Sequence, residues 1–400
     1  MNNKKKWGLI FAICFSGFGT YSDNIIIPLL TRIYEEFPDT SLFLQNYIIS
    51  GSAAASLAAA LLSGFLMKRF SKKTLLITGT ILFIFGGTAG FFTKDILFLA
   101  VTRTIDAISD GLLLSVSNSL IIELFTDEAQ RGRVFGWSNA SSCIYGIFAS
   151  FLSGVIALYS WKSAFLINLI SVATLILILR FVPFRPPASD SGEKKSAPAV
   201  SGISRHYRLH AILNLLLMFL MGACGSQIYL MIDLYLSENK IGNSVLSGML
   251  TAVSTLVSVL ACVVFPRIYT LVSKYTLTFL LGVSGLSLTG FAVWRSVPLL
   301  IIAAAAAGFA IGASLVYYPL HIGSIVPAGT SEFYMSLVTA DQYFYMIIGP
   351  YLPSFIGTFT GSTSITTSFF YSGVLLLLLG AISFLTISVL RVKKKINGPR

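Results

Sequence analysis

The sequence predicts an all-α membrane protein with twelve transmembrane helices, and three observations carry this prediction. Hydrophobic residues make up 55% of the 400 residues and charged residues only 11%. A water-soluble protein carries about 25% charged residues, so this chain has too few to cover a soluble surface. Twelve stretches are long and apolar enough to cross a bilayer, which takes about 20 residues per helix. Basic residues are concentrated in alternate loops. The high apolar content and the absence of regular heptads exclude disordered and fibrous proteins.

The twelve predicted spans fall into two groups of six. The first group covers residues 7–30, 43–66, 74–93, 96–121, 134–158 and 163–182. The second group covers residues 209–236, 244–268, 275–295, 298–321, 333–357 and 368–390.

A polar segment separates the two groups and has the composition of a linker. Prolines, serines, glycine and charged residues dominate residues 183–207, where too few apolar residues are present to form a core. We therefore expect a first six-helix bundle at 1–182, a linker at 183–207 and a second bundle at 208–400. Weak similarity between the halves, with Gly111 and Gly312 in corresponding helices, indicates a duplicated architecture.

The distribution of basic residues predicts the orientation of the chain. With a cytoplasmic N-terminus, 22 of the 28 lysines and arginines fall in inner loops and termini, and five fall in outer loops. Such an asymmetry follows the positive-inside rule. We expect both termini to be cytoplasmic and the chain to lie in the plasma membrane. The net charge of +12 then reflects topology, and the lipid bilayer rather than a nucleic acid is the expected partner.

Cysteines and catalytic motifs give no sign of a cofactor. The four cysteines, Cys14, Cys143, Cys224 and Cys262, each lie in an apolar run without a spaced partner, which argues against a disulfide framework or a metal site. Motifs of zinc hydrolases, serine hydrolases and nucleotide-binding enzymes are absent from the sequence. We expect no enzyme activity, no cofactor and no metal, with a membrane enzyme or sensor kept as the least favoured alternative.

Three charged residues in the fourth predicted span are the strongest functional candidates. Arg103, Asp106 and Asp110 fall on one helical face, within about 60° of one another. An ionised side chain in the bilayer is costly, so such residues mark functional sites. Arg103 is expected to pair with Asp106 one turn away. A second carboxylate on the same face then favours a proton-exchanging group; the alternatives are an ion pair that only fixes packing, and an Asp110 that stays ionised near water.

Further polar residues extend this pattern to other spans. Asp23 ends a polar stripe in the first span and is followed by Pro28, although a residue that only reaches water at the outer end is the alternative. In the second half, polar residues follow helical spacing on three spans. The candidates for substrate contact are Tyr229, Asp233, Tyr317, His321 and Asp341. Tyrosines at these places are equally explained as interfacial residues.

Several motifs resemble those of the major facilitator superfamily, and the resemblance covers nearly the whole chain. The segment 64–73 after the second span is similar to the family's Gly-x-Leu-Ala-Asp-Arg-x-Gly-Arg-Arg loop. Its matching positions include Gly64, Arg69, Lys72 and Lys73, while Lys68 stands in place of the aspartate and Ser71 in place of the second glycine.

Other segments also resemble this family, in particular its drug/proton antiporters. Arg103 resembles the arginine of the antiporters' helix 4 motif, in which Asp106 replaces a glutamine and Ala107 a glycine. Asp23 with Pro28 is similar to their helix 1 pattern. The antiporters' helix 5 Gly-Pro signature is absent from this sequence, where a Gly-Pro occurs in the eleventh span instead. The segment 161–168 resembles the superfamily's entry to helix 6.

The resemblance implies a secondary transporter that works by alternating access of two bundles. We expect a monomeric, proton-coupled exporter of small amphipathic or cationic compounds. Asp23, Arg103, Asp106 and Asp110 are then the candidates for proton coupling, and the 64–73 loop, with Lys68 and Arg69, is the candidate for conformational control. The alternative is a proton-coupled importer or a facilitator of a small metabolite or peptide, because the same carboxylates serve symport.

Overall fold

The structure is a computed structural model that describes residues 3–18, 23–41, 44, 47–48, 52–185, 205–242, 244–326 and 330–396. Every regular element of these residues is a helix, as the all-α prediction requires. The helices of the first half are α1 Asn3–Ser16, α2 Asp23–Ile26, α3 Leu30–Glu36, α4 Ser52–Arg69, α5 Lys72–Ala89, α6 Ile96–Leu124, α7 Glu128–Ala157 and α8 Ser171–Phe181. Those of the second half are α9 Arg205–Glu238, α10 Ser244–Val272, α11 Thr276–Val293, α12 Val297–Ile325, α13 Ser331–Ile348, α14 Leu352–Thr360 and α15 Ile365–Ile396.

Short 3₁₀ segments connect several of these helices, and proline lies in two of them. They are Ile27–Leu29, Gly90–Phe92, Lys162–Ile170, Ser273–Tyr275 and Gly349–Tyr351. The predicted spans 7–30 and 333–357 are each divided into shorter helices by such segments. Pro28 and Pro350 lie at the start of the interrupting 3₁₀ segments. Proline has no N–H to donate and clashes with the preceding turn, which explains both interruptions.

Eight helical stretches among the described residues are long and apolar enough to cross a membrane. They are Lys72–Phe92, Glu128–Ala157, Lys162–Phe181, Leu209–Glu238, Leu246–Val272, Thr276–Val293, Val297–Ile325 and Ile365–Ser388. The α6 helix, with 29 residues, is as long as these stretches but is not among them. It carries the three charged residues of the predicted site.

The chain forms two compact units. Unit 1 comprises residues 1–215 and 318–347, and unit 2 comprises residues 216–317 and 348–400. Unit 1 contains the first eight helices, the start of α9, the end of α12 and all of α13 except its last residue. The division into bundles at 1–182 and 208–400 with a linker between them stays a prediction.

Glycines allow α6 to pack closely against two neighbours in unit 1. A Cβ atom on Gly86 of α5 would lie 2.7 Å from the backbone nitrogen of Asp106. On the other side, a Cβ atom on Gly111 would overlap the carbonyl oxygen of Ser56 in α4. The Ser56 hydroxyl also donates to the Ala107 carbonyl at 2.9 Å. Small residues are the usual means by which membrane helices approach at backbone distance.

Unit 2 repeats this packing in its own helices. Cβ atoms on Gly308 and Gly312 of α12 would overlap the carbonyl oxygens of Ser254 and Ser258 in α10. Gly312 is the residue that corresponds to Gly111 in the sequence comparison of the two halves. The two halves therefore share a glycine-to-serine contact between corresponding helices, as a duplicated architecture would.

We expect Gly86→Ala to destabilise the protein, because the new methyl group meets backbone atoms that cannot move independently. Overpacking of this kind costs about 1–3 kcal/mol. Gly282→Ala is the matched control, since a Cβ atom there has no heavy atom within 4 Å among the described residues, and alanine gains up to about 1 kcal/mol of helix propensity. Thermal unfolding in detergent measures both. Equal unfolding temperatures for the two variants would contradict the backbone contact.

Candidate functional site

A buried ion pair lies in the N-terminal half of α6. The Arg103 guanidinium Nη1 donates to Asp106 Oδ2 at 2.8 Å, and the two residues are 4% and 1% exposed. Their spacing of three residues brings them together on one face of the helix. The pair predicted from the sequence is therefore present, and it lies inside the packed part of unit 1.

A second carboxylate on the same helix is held by a residue from the end of the chain. Asp110 is 7% exposed, and its Oδ2 accepts a hydrogen bond of 2.6 Å from the Tyr343 hydroxyl of α13. The two residues are 233 positions apart in the sequence. Asn118 and Thr339 form a longer contact of 3.5 Å between the same two helices. We call Arg103, Asp106, Asp110 and Tyr343 the α6 cluster.

The α6 cluster contains more negative than positive charge when both carboxylates are ionised. The cluster holds one guanidinium, which pairs with Asp106, a second carboxylate on Asp110, and a neutral phenol. Electrostatic interactions are stronger in a protein interior than in water, and an excess buried charge is correspondingly costly.

Neutral polar groups surround the ion pair. The Tyr145 hydroxyl donates to Asn168 Oδ1 at 3.1 Å, and Asn168 Nδ2 donates to the Gly87 carbonyl at 3.0 Å. Tyr47 and Thr104 share a hydrogen bond of 2.6 Å. These contacts fix polar side chains from three segments around α6.

Asp341 lies two residues before Tyr343 and brings a further carboxylate to this part of unit 1. The residue is half-buried. Its Oδ2 atom is buried, and it has no hydrogen-bond partner among the residues that the structure describes. Helical geometry directs Asp341 and Tyr343 to different faces of α13. Asp341 is thus a carboxylate near the α6 cluster that is not part of it.

The other predicted substrate-contact residues are distributed between the two units. In unit 2, Tyr229 shares a hydrogen bond of 2.8 Å with Ser254, and Asp233 one turn later is exposed. Tyr317 is buried, with its ring 6.1 Å from that of Tyr269. In unit 1, His321 is half-buried and interacts electrostatically with Glu128 and His210. The roles of these residues stay predictions.

Asp23 is the one proton-coupling candidate whose side chain the structure does not describe. Its backbone begins α2. The preceding residues 19–22 lie outside the described part of the chain. The role of Asp23 therefore stays a prediction from the sequence.

The 64–73 loop takes part in an ion-pair network in unit 1. Lys72 Nζ lies 2.6 Å from Glu123 Oε2 at the end of α6 and 2.9 Å from Glu332 Oε1 in the first turn of α13. Arg185 Nη1 lies 2.6 Å from the other oxygen of Glu123. Burial alone would raise the pKa of the Glu123 carboxyl, but Lys72 and Arg185 hold that pKa below its ordinary value.

The other residues of this loop have separate positions. Lys73 Nζ donates to the Leu179 carbonyl at 2.8 Å, whereas Lys68 and Arg69 are exposed. Gly64 lies against Ser336 of α13, where a Cβ atom would come within 2.5 Å of the hydroxyl oxygen. Both Gly64 and Lys72 therefore contact α13, although the loop carries Lys68 at the aspartate position of the family pattern.

Sequence reasoning missed the partners that come from distant parts of the chain. Tyr343, Glu123, Glu332 and Arg185 were not among the predicted site residues. Glu332 is an acidic residue in the first turn of a helix, but such residues commonly only complement the helix dipole. Nothing in the sequence distinguished Tyr343 from Tyr334 and Tyr345 in the same predicted span. Among the described residues, no group of three or more His, Cys, Asp and Glu side chains is placed to hold a metal ion.

We expect Asp106→Asn to lower the free energy of unfolding by about 3 kcal/mol, because removal of one partner of a buried pair leaves an uncompensated charge. The combined Arg103→Met and Asp106→Leu variant is expected to recover most of this loss. Thermal unfolding in detergent measures both. Asp39→Asn, at an exposed position, is the control. If the Asp106→Asn protein unfolded at the same temperature as this control, the result would argue against a buried pair.

The network at Glu123 predicts a stability contribution that depends on pH. A carboxyl with a depressed pKa stabilises the folded state above its ordinary pKa of 4.5, and this stabilisation is lost as the pH falls through the folded-state value. Glu123→Gln is therefore expected to unfold at a lower temperature than the parent at neutral pH, and the difference closes in acid. Glu35→Gln is the control, because Glu35 pairs with Arg32 only at an exposed site; the same pH profile in that variant would contradict the assignment.

Comparisons with known proteins identify the family of this chain. The family model of the Major Facilitator Superfamily matches residues 9–293. The chain is 26% identical over 190 residues to the MFS-type efflux pump MMF1 of Pseudozyma antarctica (strain T-34), covering 47% of this chain and 35% of that protein. It is 27% identical over 165 residues to the arabinose-proton symporter of Escherichia coli (strain K12), covering 41% and 34%. The matched segments thus span about a third of the length of these relatives.

A solved structure extends the similarity to the complete fold. The human organic anion transporter MFSD10 (TETRAN) superposes with a TM-score of 0.76 at 13% identity, covering 93% of this chain and 99% of that one. At this identity the likeness concerns the fold alone, and it is consistent with the predicted twelve-helix arrangement. Since the family model covers most of the sequence, the chain belongs to the Major Facilitator Superfamily and is a multi-span membrane protein.

Proposed function

We propose that this protein is a proton-coupled exporter of small amphipathic or cationic compounds. One observation carries the proposal: α6 holds two buried carboxylates and a single arginine, which pairs with Asp106, while Asp110 is bound by Tyr343. A transporter of neutral solutes without proton coupling would have no use for a second carboxylate at such a cost. Similarity to a protein named as an efflux pump supports the direction of transport.

The cluster supports an exchange mechanism through its charge. With both carboxylates ionised, the cluster carries one negative charge in excess, and either a proton or a cation compensates it. If the two bind to the same excess charge, each weakens the binding of the other. Protonation on the acidic side of the membrane then releases the substrate, and loss of the proton on the other side prepares the cluster for the next substrate.

Asp110 is the carboxylate best suited to exchange the proton. Asp106 faces the guanidinium directly, which strongly favours its ionised form. Asp110 instead accepts a hydrogen bond from Tyr343. A phenol can donate to a carboxylate or accept a hydrogen bond from a carboxylic acid, so Tyr343 serves both protonation states of Asp110.

Asp341 is the residue best suited to attract a cation in unit 1. It lies on the same helix as Tyr343, and it retains a buried oxygen without a hydrogen-bond partner in the described part of the chain. Tyr229, Asp233, Tyr317 and His321 complete the proposed substrate contacts. Aromatic rings among them suit an amphipathic cation, which they attract through their faces. Asp23 is proposed as a further proton-coupling residue.

Proton-coupled import of a small metabolite is the second candidate function. The similarity to the arabinose-proton symporter favours it, and the same carboxylates serve both directions of coupling. The two functions differ in the direction of the pH gradient that drives uptake of the substrate. An antiporter accumulates its substrate on the acidic side of the membrane, and a symporter on the side away from the acid.

Transport by reconstituted protein distinguishes these functions. Proteoliposomes are prepared with an acidic lumen or in an acidic medium, and uptake of a fluorescent lipophilic cation such as ethidium is measured. We expect uptake to exceed the gradient-free rate by about fivefold or more with an acidic lumen, within the range of typical coupling. The Asp110→Asn and Tyr343→Phe variants are expected to reduce this stimulation, and Asp110→Asn to reduce it more.

The controls separate loss of coupling from loss of folding. Asp39→Asn removes an exposed carboxylate and is expected to transport like the parent. Tyr343→Phe keeps the aromatic ring and loses only the hydroxyl, so its fold is expected to be retained. Accumulation with an acidic medium would establish the symport alternative. Transport that ignores both gradients, or that survives Asp110→Asn and Asp106→Asn unchanged, would refute proton coupling through this cluster.

A further inference from the structure

An open groove of about 570 Å³ lies on unit 1 between α1 and α8. Trp7, Phe11 and Phe15 line it from α1, and Leu177 and Phe181 line it from α8. Its volume is in the range of sites that hold small organic molecules, about 300–1,000 Å³. No residue proposed for proton coupling or substrate contact lines this groove.

The groove is formed by one face of α1. Lys4, Trp7, Gly8, Phe11 and Phe15 all line it, at spacings that place them on one side of a helix. Gly8 allows α1 to approach α8, because a side chain there would collide with the Phe181 ring. Trp7 and Phe11 are each 50% exposed, so the aromatic wall of the groove is open to the hydrocarbon.

The length of the groove corresponds to one leaflet of a bilayer. Lys4 and Phe15 are 11 residues apart, which is a rise of about 16 Å along a helix. A leaflet contributes about half of the 30 Å hydrocarbon core. Trp7 stacks on Trp137 with ring centroids 5.5 Å apart, and tryptophans are enriched at the level of the lipid headgroups. The groove therefore runs from the headgroup level to the middle of the membrane.

Positive charge is gathered at the headgroup end of the groove. Lys4 lines the groove there and is exposed. The Arg180 guanidinium lies 5.9 Å from the centroid of the Phe181 ring, and the Lys73 ammonium is bound to the carbonyl of Leu179. By the positive-inside distribution this end faces the cytoplasm, where anionic lipids are concentrated in membranes with asymmetric leaflets.

We infer that this groove is a binding site for an anionic phospholipid of the cytoplasmic leaflet. One acyl chain lies against the aromatic wall, and the headgroup phosphate contacts Lys4 with Arg180 nearby. Both the leaflet-length apolar wall and the cations at one end are needed for this specificity. A zwitterionic lipid would pack equally well against the apolar wall, but its headgroup would be attracted less strongly by the cations.

Tryptophan quenching by brominated lipids tests the site. Protein carrying Trp161→Phe and Trp294→Phe retains only Trp7 and Trp137 of the four tryptophans, and it is reconstituted with phosphatidylcholine and increasing amounts of phosphatidylglycerol, either lipid being brominated. We expect phosphatidylglycerol to bind beside Trp7 with about fivefold higher affinity than phosphatidylcholine. A gain of this size is what the attraction between one lysine and an anionic lipid provides. Lys4→Gln is expected to abolish this preference.

The matched control is Lys5→Gln. Lys5 is equally exposed and carries the same charge, but it does not line the groove, so the preference is expected to persist. Equal quenching by the two lipids, or an equal effect of the two lysine variants, would overturn the proposal. Soluble glycerol 3-phosphate is expected to leave the quenching unchanged. Displacement of the lipid by that anion would indicate a site for free phosphate compounds and would also overturn it.

Discussion

The pairing of Arg103 with Asp106 is the interaction on which the rest of unit 1 depends. The hydrocarbon core offers no water to solvate a charge, so a guanidinium buried on α6 has to be compensated by protein groups. Compensation requires that α6 be surrounded by other helices rather than by lipid. The glycines at 86 and 111 meet this requirement, because they let α5 and α4 approach α6 at backbone distance on two sides. The charges and the close packing are therefore two parts of one arrangement.

Unit 2 has the packing without the charges. The glycines of α12 contact serines of α10 as Gly111 contacts Ser56 in α4. Alignment of Gly111 with Gly312 places Ala304, Ala307 and Ile311 at the positions that correspond to the three charged residues of α6. Ala304 and Ala307 are buried. The helix contact is thus present in both halves, while the positions of α12 that correspond to the three charged residues of α6 carry no ionisable group.

Local patterns in the sequence predicted most of the fold and only part of the site. Runs of apolar residues located the helices, since helix formation within a bilayer is dictated by backbone hydrogen bonding in the absence of water. The Arg103–Asp106 pair was predictable because a spacing of three residues fixes the contact within one helix. The interruptions around Pro28 and Pro350 were only partly predictable, because proline allows either a bend or a break. The prolines indicated that the helices would be perturbed, but they did not indicate whether each helix would bend or break.

Contacts between distant segments could not be predicted from a single sequence. The hydrogen bond from Tyr343 to Asp110 and the ion pair between Lys72 and Glu332 each join residues more than 200 positions apart. Such contacts depend on which helices become neighbours and on their rotation about their axes. A shift of one residue in α13 would turn its side chains by about 100°, and hydropathy does not resolve such a shift. The sequence therefore identified the charged helix but not the helix that faces it.

The close contacts of Gly86 and Gly111 have a consequence for movement. Backbone atoms in contact on both sides prevent α6 from rotating or sliding against α5 and α4, so these three helices move as one rigid body. Helix α13 also meets this body closely at Gly64 of α4, but its polar contacts end in the hydroxyl of Tyr343, the side chain of Thr339 and the carboxylate of Glu332. Such contacts can break and form again without remodelling the interior. The charges of α6 accordingly keep their mutual geometry throughout any change of state, and what changes is the neighbour that they face.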